Sequence, residues 1–560
     1  NAAAPVLQSV REGSSVRFKV RIEGADASQV RPVVKVGENV LSADDEGYYT
    51  VDVADSNISV NVYTVPVNGA TLTPYELALI TPEEAVDVTR ISLSGDIAPD
   101  KVKNLIDKLP ALEELDLSAL SQALPEGAMA GKETLVSVIL PASSVIEANT
   151  FSGCTNLTGV VVPECVSVIG ARAFNGCSSL RSLSFSGIAA VGADAFRGCD
   201  RMTCIIFTAS RPDAQAARVR RAPRAGDADG FDTDAFSGLN PNCVVYLDEG
   251  VDKPEAANVN FVQVRQDASS ESGRVYEALG DIAINPDYDF QAVNAFTVTG
   301  GSTVSMEMQL GACPAGTEGW KSLVLPFAPV RVTDGTGREM NQYIRKEADN
   351  RHGLYMTASV GPDGFLALTD GIEANTPYLA ALYQEEGTAT VRFVADNCEV
   401  PQTPAEIRVD GADYTLMATL SGRELGAAGI YMLREDGCAF EAADSSTYLL
   451  DESDGETANS VAVKPFSVYA VSNADVPDFP VEVDVTEDIP TGISAPGETT
   501  SFMISRENGV IVIYSDCDSS VNVFNVAGQI VKTIRLVRGR NTIDNLTPGV
   551  YILRGQKVVL

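Results

Sequence analysis

Between Leu112 and Phe207 the chain repeats itself, and this repeat constrains the fold more than any other feature of its 560 residues. Leu135-Val-Ser-Val-Ile-Leu-Pro141 leads to Val145-Ile146-Glu147 and then to Thr150-Phe151-Ser152-Gly153-Cys154. The next turn runs Leu157 to Pro163, Val168-Ile169-Gly170, Ala173-Phe174-Asn175-Gly176-Cys177, and a third runs Leu180 to Phe185, Val191-Gly192, Ala195-Phe196-Arg197-Gly198-Cys199. The leading residues Leu135, Leu157, Leu180 and Met202 stand 22, 23 and 22 residues apart. A fixed period of this size marks a solenoid, in which each coil is too small to bury its own apolar face and must stack on its neighbours.

In each coil the Leu-x-x-Val-x-Leu stretch predicts a short strand whose first, fourth and sixth residues point inward. Phe151, Phe174, Phe196 and Phe236 are then expected to stack in one continuous column. Cys154, Cys177 and Cys199 recur at one repeat position, so each is read as a small buried apolar residue and a free thiol. The residues between the inward ones face out: Glu114 and Asp116, Ser137 and Ile139, Val161, Ser182 and Ser184, Ile206, then Tyr246. Together they form the candidate binding face, because repeated strands offer a ready-made sheet to a partner. Ile139, Val161 and Ile206 line up as an apolar ridge that is either a contact patch or the floor beneath a neighbouring domain.

The repeat resembles the BspA-like leucine-rich repeats of bacterial surface proteins, with their Leu-Pro strand, Ile-Gly turn and Ala-Phe-x-x-Cys segment. The likeness covers about 112–247 and departs at Met129, which stands in place of phenylalanine, and at Ser186, in place of proline. Upstream, Val88-Thr-Arg-Ile-Ser-Leu93 and Asp100 to Leu109 read as a first coil with a helical back side. The solenoid is therefore assigned to 87–265. The register breaks once, since Phe196 and Phe236 lie 40 residues apart. The insertion, about 209–230, carries Arg211, Arg218, Arg220, Arg221 and Arg224 and reads as an exposed loop; a tether or a basic contact is the lesser reading.

The flanks are β-rich. Val16 to Ile22, Tyr48 to Val53 and Ile58 to Tyr63 alternate apolar and polar residues, so 5–86 is expected to be a small immunoglobulin-like sandwich, although no Cys-Trp-Cys set is present. Short strands from 270 to 485 predict one or two further sandwiches; Trp320-Lys-Ser-Leu-Val-Leu-Pro-Phe327 resembles a strand found beside such repeats in exported proteins of Bacteroidota type. A Thr/Pro/Gly/Asp/Glu-rich linker, 486–500, precedes a last module, 501–560. Its Phe524-Asn-Val-Ala-Gly-Gln-Ile-Val531, Gly539-Arg-Asn-Thr-Ile543 and Leu546-Thr-Pro-Gly-Val-Tyr-Ile552 resemble a type IX secretion C-terminal sorting domain, which implies export through the outer membrane. Asn1-Ala-Ala-Ala-Pro5 looks like an end left by a removed leader. The fold class is thus mainly β and multidomain: a leucine-rich-repeat solenoid flanked by β-sandwich, immunoglobulin-like modules.

Charge and chemistry narrow the function. With 41 Lys and Arg against 76 Asp and Glu, the net charge of −35 repels phosphate backbones, so no nucleic-acid partner is expected. No run of about 18 apolar residues exists to span a membrane as a helix. His352 is the sole histidine and sits in a charged stretch, which leaves no histidine-based triad, and no Cys-x-x-Cys pair offers a zinc site. Asp227 to Asp234 and Asp451 to Glu456 space oxygens as calcium sites do, but neither fits an EF-hand, and both read as acidic loops. No catalytic residue, metal or cofactor is assigned. The resemblance implies an adhesin-like, non-enzymatic protein, extracellular or on the outer cell surface, that holds a host or matrix protein or another surface component; a structural spacer comes second and a carbohydrate-active enzyme third.

Overall fold

The structure is a computed structural model. It describes residues 15–209 apart from 22–29, 37–38, 53–59, 67, 79, 83–84, 97, 121 and 144. It describes 230–483 apart from 250, 255–258, 268–272, 314–316, 343–352, 362–364, 370, 385, 413, 444–459, 473–478 and 482, and beyond these the seven strands between 503 and 559. The inserted arginines, His352, Cys517, Asp227, Asp229, the acidic run 451–456, the linker 486–500 and residues 1–5 lie outside the described residues.

The repeats wind into a stack of coils with parallel strands on two sides. Strands Ala70–Leu72, Arg90–Gly95, Glu114–Leu120, Ser137–Ile139 and Gly159–Val161 form a five-stranded parallel sheet. It thus begins upstream of the boundary expected at residue 87. Across the stack, the two-residue strands Val145–Ile146, Val168–Ile169, Ala190–Val191 and Gly230–Phe231 form a second parallel sheet. The third side is held by main-chain bonds from coil to coil, with Phe151 N–H on Ala173 O and Phe174 N–H on Ala195 O, each at 2.8 Å. The first coil is backed by a helix, Pro99–Ile106, which starts on a proline where no N–H is needed and buries Val102, Leu105 and Ile106.

Stacking buries what the period predicts. Phe151, Phe174, Phe196 and Phe236 form one column, with successive centroids 5.3, 5.8 and 5.8 Å apart and planes within 17° of parallel. Phe185 and Phe207 stack beside it at 5.5 Å. The thiols of Cys154, Cys177 and Cys199 run alongside, each donating to a carbonyl of the preceding coil, on Met129, Phe151 and Phe174 at 3.1, 3.2 and 3.2 Å. Met129 fills the position before Phe151 and is fully buried. Two glycines set the coil spacing: a Cβ on Gly170 or Gly192 would stand 2.4 or 2.5 Å from the backbone nitrogen of Ala148 or Ala171.

The solenoid does not end in a cap. The strands Ser182–Ser186, Cys204–Thr208, Val244–Asp248 and Asn260–Gln266 continue it in parallel. The chain then turns antiparallel at Arg274–Ala278 and passes into Phe296–Gly311 and Thr388–Val400, within one fourteen-stranded sheet. The strand side is therefore interrupted between Gly159–Val161 and Ser182–Ser186, which lie in separate sheets. Against the long sheet one apolar core runs from Cys204 to Val483 and includes fully buried Trp320, Leu323, Leu325 and Phe327. A six-stranded sheet led by Ile407–Asp410 and Thr415–Thr419 adds the facing layer. The N-terminal segment has a strand pair and a three-stranded sheet, and the C-terminal segment has sheets of three and four antiparallel strands.

Candidate binding face

Side chains that point away from the solenoid interior fall into two rows. Arg90, Glu114, Ser137 and Gly159 are register partners in one, and Ser92, Asp116, Ile139 and Val161 in the other. Glu114 pairs with Arg90 at 3.0 Å with both side chains about half exposed, a contact that contributes little to stability. Asp116 turns back on its own strand and accepts the Ser118 N–H at 2.8 Å. Ile139 and Val161 remain 38% and 58% exposed and lie side by side. Ser182 and Ser184 are exposed on the next strand.

Beyond Ser184 the same face is covered, and here the expectation needs correction. Tyr246 is 1% exposed and is not at the surface. Its ring meets Tyr276 edge-on at 6.0 Å and its hydroxyl lies 3.3 Å from Asn294 O. Burial pushes its phenol well above the usual tyrosine range. Ile206 is half-buried and packs on the same core. The cause is that the sheet separates two interiors. Ile205, Val245 and Leu247 belong to the solenoid core, whereas Cys204, Val244, Tyr246 and Val262 belong to the core that follows. The apolar ridge is thus divided: Ile206 lies under the neighbouring layer, while Ile139 and Val161 face outward.

The cover is fastened by polar side chains that periodicity did not single out. Asn242, fully buried, donates to Asn285 O and Tyr288 O at 2.7 and 2.8 Å and accepts the Asn285 N–H at 2.7 Å. Asn240 donates to Asp289 O at 2.9 Å. The Asp289 carboxylate, 5% exposed, accepts the Gly422 N–H at 2.7 Å and lies 3.4 Å from Arg181 of the solenoid. Buried amides and carboxylates persist only when their hydrogen bonds are met, and here they are met across the junction. The sequence signal is Asn242, which stands at the leading position that Leu180 and Met202 hold in earlier coils, whereas Asn240 falls at the polar position of Ser178 and Asp200. Among the described residues no cluster of three His, Cys, Asp or Glu is placed to hold a metal ion, and no helix is long and apolar enough to cross a membrane.

Coils, strand ladder and phenylalanine column define a leucine-rich-repeat solenoid joined edge-on to a larger β structure. Residues 107–214 match the family model described as BspA type leucine rich repeat region, in six copies, so this segment is a repeat region of that type. No curated protein matches the chain. Among solved structures, a leucine-rich repeat protein from Bacteroides ovatus is 22% identical over 27% of this chain and 36% of its own, with a TM-score of 0.22. A T. pallidum leucine rich repeat protein is 21% identical over 26% of this chain and 67% of its own, with a TM-score of 0.20. A leucine rich cell surface protein from Faecalibacterium prausnitzii is 13% identical over 45% and 64%, also at 0.20. The chain thus spans about a third of the length of the Bacteroides ovatus structure it matches.

Proposed function

We propose that this chain is a non-enzymatic binding protein of the cell surface or the extracellular space, and that it holds an extracellular protein on the uncovered part of its repeat face. The observation that carries the reading is the exposed pair Ile139 and Val161, fixed on a parallel sheet that also carries Glu114, Asp116 and Ser137, with Ser182 and Ser184 exposed on the strand of the next coil. An apolar centre with a polar rim is the usual make-up of a protein contact. The BspA-type repeat region supports a surface role. The likeness of 501–560 to a type IX sorting domain supports export. A second reading, a spacer that displays another surface component, is favoured by the shared sheet and the asparagine-fastened junction, which make the solenoid and the following layer one stiff piece.

The test is capture of purified matrix and plasma proteins on the immobilised full chain. The full chain is needed because a fragment ending at 265 would expose Tyr246, Val262 and Val264. A partner held by the native chain, lost in the Ile139→Asp, Val161→Asp double variant and kept in Val330→Asp, a control elsewhere on the surface, supports the reading. Capture that ignores the double variant, or no capture at all, leaves the spacer.

A further inference from the structure

A cleft of about 630 Å³ opens where the solenoid meets the following layer, within the size range of small-molecule sites. One wall is the loop Asn285 to Asp289, pinned from below by Asn242 and Asn240 through its main chain. The loop lifts Tyr288 into the cleft with 36% of its surface exposed, its main chain bonded and its ring and hydroxyl without a partner among the described residues. Charges of both signs surround it. Arg201 from the solenoid, Arg423 and Lys464 line the cleft together with Asp200, Asp287, Asp289 and Glu424, and of these seven only Asp289, held by Arg181, has an ion-pair partner among the described residues.

Arg423 is the most informative of these. Its guanidinium lies over the Tyr469 ring, 5.5 Å from the centroid, and one Nη bonds the Tyr469 hydroxyl. Its Nε is buried and has no hydrogen-bond partner. The Nε is closed off from the cleft, so a ligand meets the half-buried guanidinium at its outer nitrogens, and the group that bonds a guanidinium best is a carboxylate.

We propose that this cleft binds a short oligosaccharide bearing a single carboxylate, with a sugar ring against Tyr288 and the carboxylate at Arg423. A polyhydroxylated ligand uses both kinds of charge at once, its hydroxyls donating to Asp287 and Glu424 and accepting from Arg201 and Lys464. A peptide would call for larger apolar side pockets than Ala462 and Pro465 provide. The net charge of −35, and the four carboxylates beside three cations in the cleft, disfavour a polyanionic glycan, whereas a single carboxylate on an otherwise neutral sugar is held by the guanidinium or ammonium it touches directly.

Calorimetric titration of the full chain tests this with four probes: a trisaccharide ending in one sialic acid, a disaccharide ending in glucuronic acid, neutral lactose, and a tripeptide of one negative charge. At least one acidic sugar is expected to bind about tenfold or more tighter than lactose. Lys464→Gln and Arg423→Gln should erase that preference, and Tyr288→Ala should weaken every sugar. Lys464 is exposed, so its variant carries the charge test if Arg423→Gln does not fold. Absence of saturable binding by either acidic sugar, equal binding by the tripeptide, or indifference to both Lys464→Gln and Tyr288→Ala overturns the proposal.

Discussion

The rings of Phe174 and Phe196 lie face to face in adjacent coils, 5.8 Å apart and 6° from parallel. Each is fully buried, and Phe174 also meets Phe151 at 5.3 Å and Phe185 at 6.5 Å. No neighbour can collapse into the space of a deleted ring without disturbing two coils. Phe174→Ala is therefore expected to cost about 3–5 kcal/mol, as for a buried aromatic that leaves a cavity. Denaturant titration of the wild-type and variant chains, followed by far-ultraviolet circular dichroism, measures it. A loss under about 1 kcal/mol would mean that the column is not a stabilising element.

Gly170 is restricted by its neighbour and not by its dihedral angle. A methyl group there would stand 2.4 Å from Ala148 N and 2.7 Å from Glu147 C, both main-chain atoms of the coil above. Backbone held by its own coil-to-coil bonds cannot yield cheaply, so Gly170→Ala should destabilise by about 1–3 kcal/mol, the range for overpacking. Gly131→Ala is a useful comparison, because its added methyl meets nothing within 4 Å and only its positive φ of 77° is strained. The two variants, melted side by side, separate crowding from dihedral strain.

The repeat was legible because its determinants are local: one apolar residue out of register would break the ladder, so period and burial coincide at Leu135, Leu157, Leu180 and Met202, all fully buried. The candidate face was legible only in its first half. Ser182 to Ser186 alternates exposed and buried side chains, as a strand with one wet side does, and the alternation of serine with Leu183 and Phe185 carries it in the sequence. Cys243-Val-Val-Tyr-Leu247 is a continuous apolar run, the pattern of a strand buried on both faces. As one more repeat the run would expose Tyr246; its unbroken apolar character instead reflects a core on each side, Val245 and Leu247 in one and Val244 and Tyr246 in the other. The cover itself comes from 285–294, some 40 residues further on, and the Gly422 amide that fixes Asp289 lies 133 residues from it. Contacts of that separation leave no periodic trace in a single sequence.

That junction makes a prediction of its own. Asn242 satisfies two carbonyls and one N–H of the covering loop from a fully buried position. Asn242→Ala strands the Tyr288 carbonyl and the Asn285 N–H, while Asn285 O keeps the Tyr288 N–H at 3.2 Å, and each unmet buried group costs about 1–3 kcal/mol before water enters. Asn242→Asp keeps the acceptor but sets a charge against two carbonyl oxygens. Both variants should lower stability by about 2–4 kcal/mol and should raise amide hydrogen exchange at Asn285 and Phe290 ahead of the Phe174 column. Exchange that rises equally in both regions would mean that the junction and the solenoid unfold as one unit.

The thiol ladder gives the pH dependence. Burial raises the Cys154 thiol to about 11 and the Cys199 and Cys204 thiols to about 12, and holds Cys177 and Cys243 well above the usual thiol range. In the unfolded chain a cysteine titrates near 8.5. Above that pH the unfolded state gives up protons that the folded state keeps, so stability is complete below about pH 8 and falls as pH rises towards the folded values. Each such thiol weakens folding by about 1.4 kcal/mol per pH unit within its window. Denaturation midpoints should therefore drop steeply between pH 8.5 and 11, and Cys177→Ala, although it leaves a small cavity, should flatten the drop. At pH 8 the same protonation blocks alkylation. Brief iodoacetamide treatment followed by peptide mass mapping should modify Cys165, which is exposed, and spare Cys154, Cys177, Cys199, Cys204 and Cys243 until the chain is unfolded. Labelling of Cys177 or Cys199 in the native protein would contradict the buried ladder, because both donate to carbonyls of the preceding coil with no path to solvent.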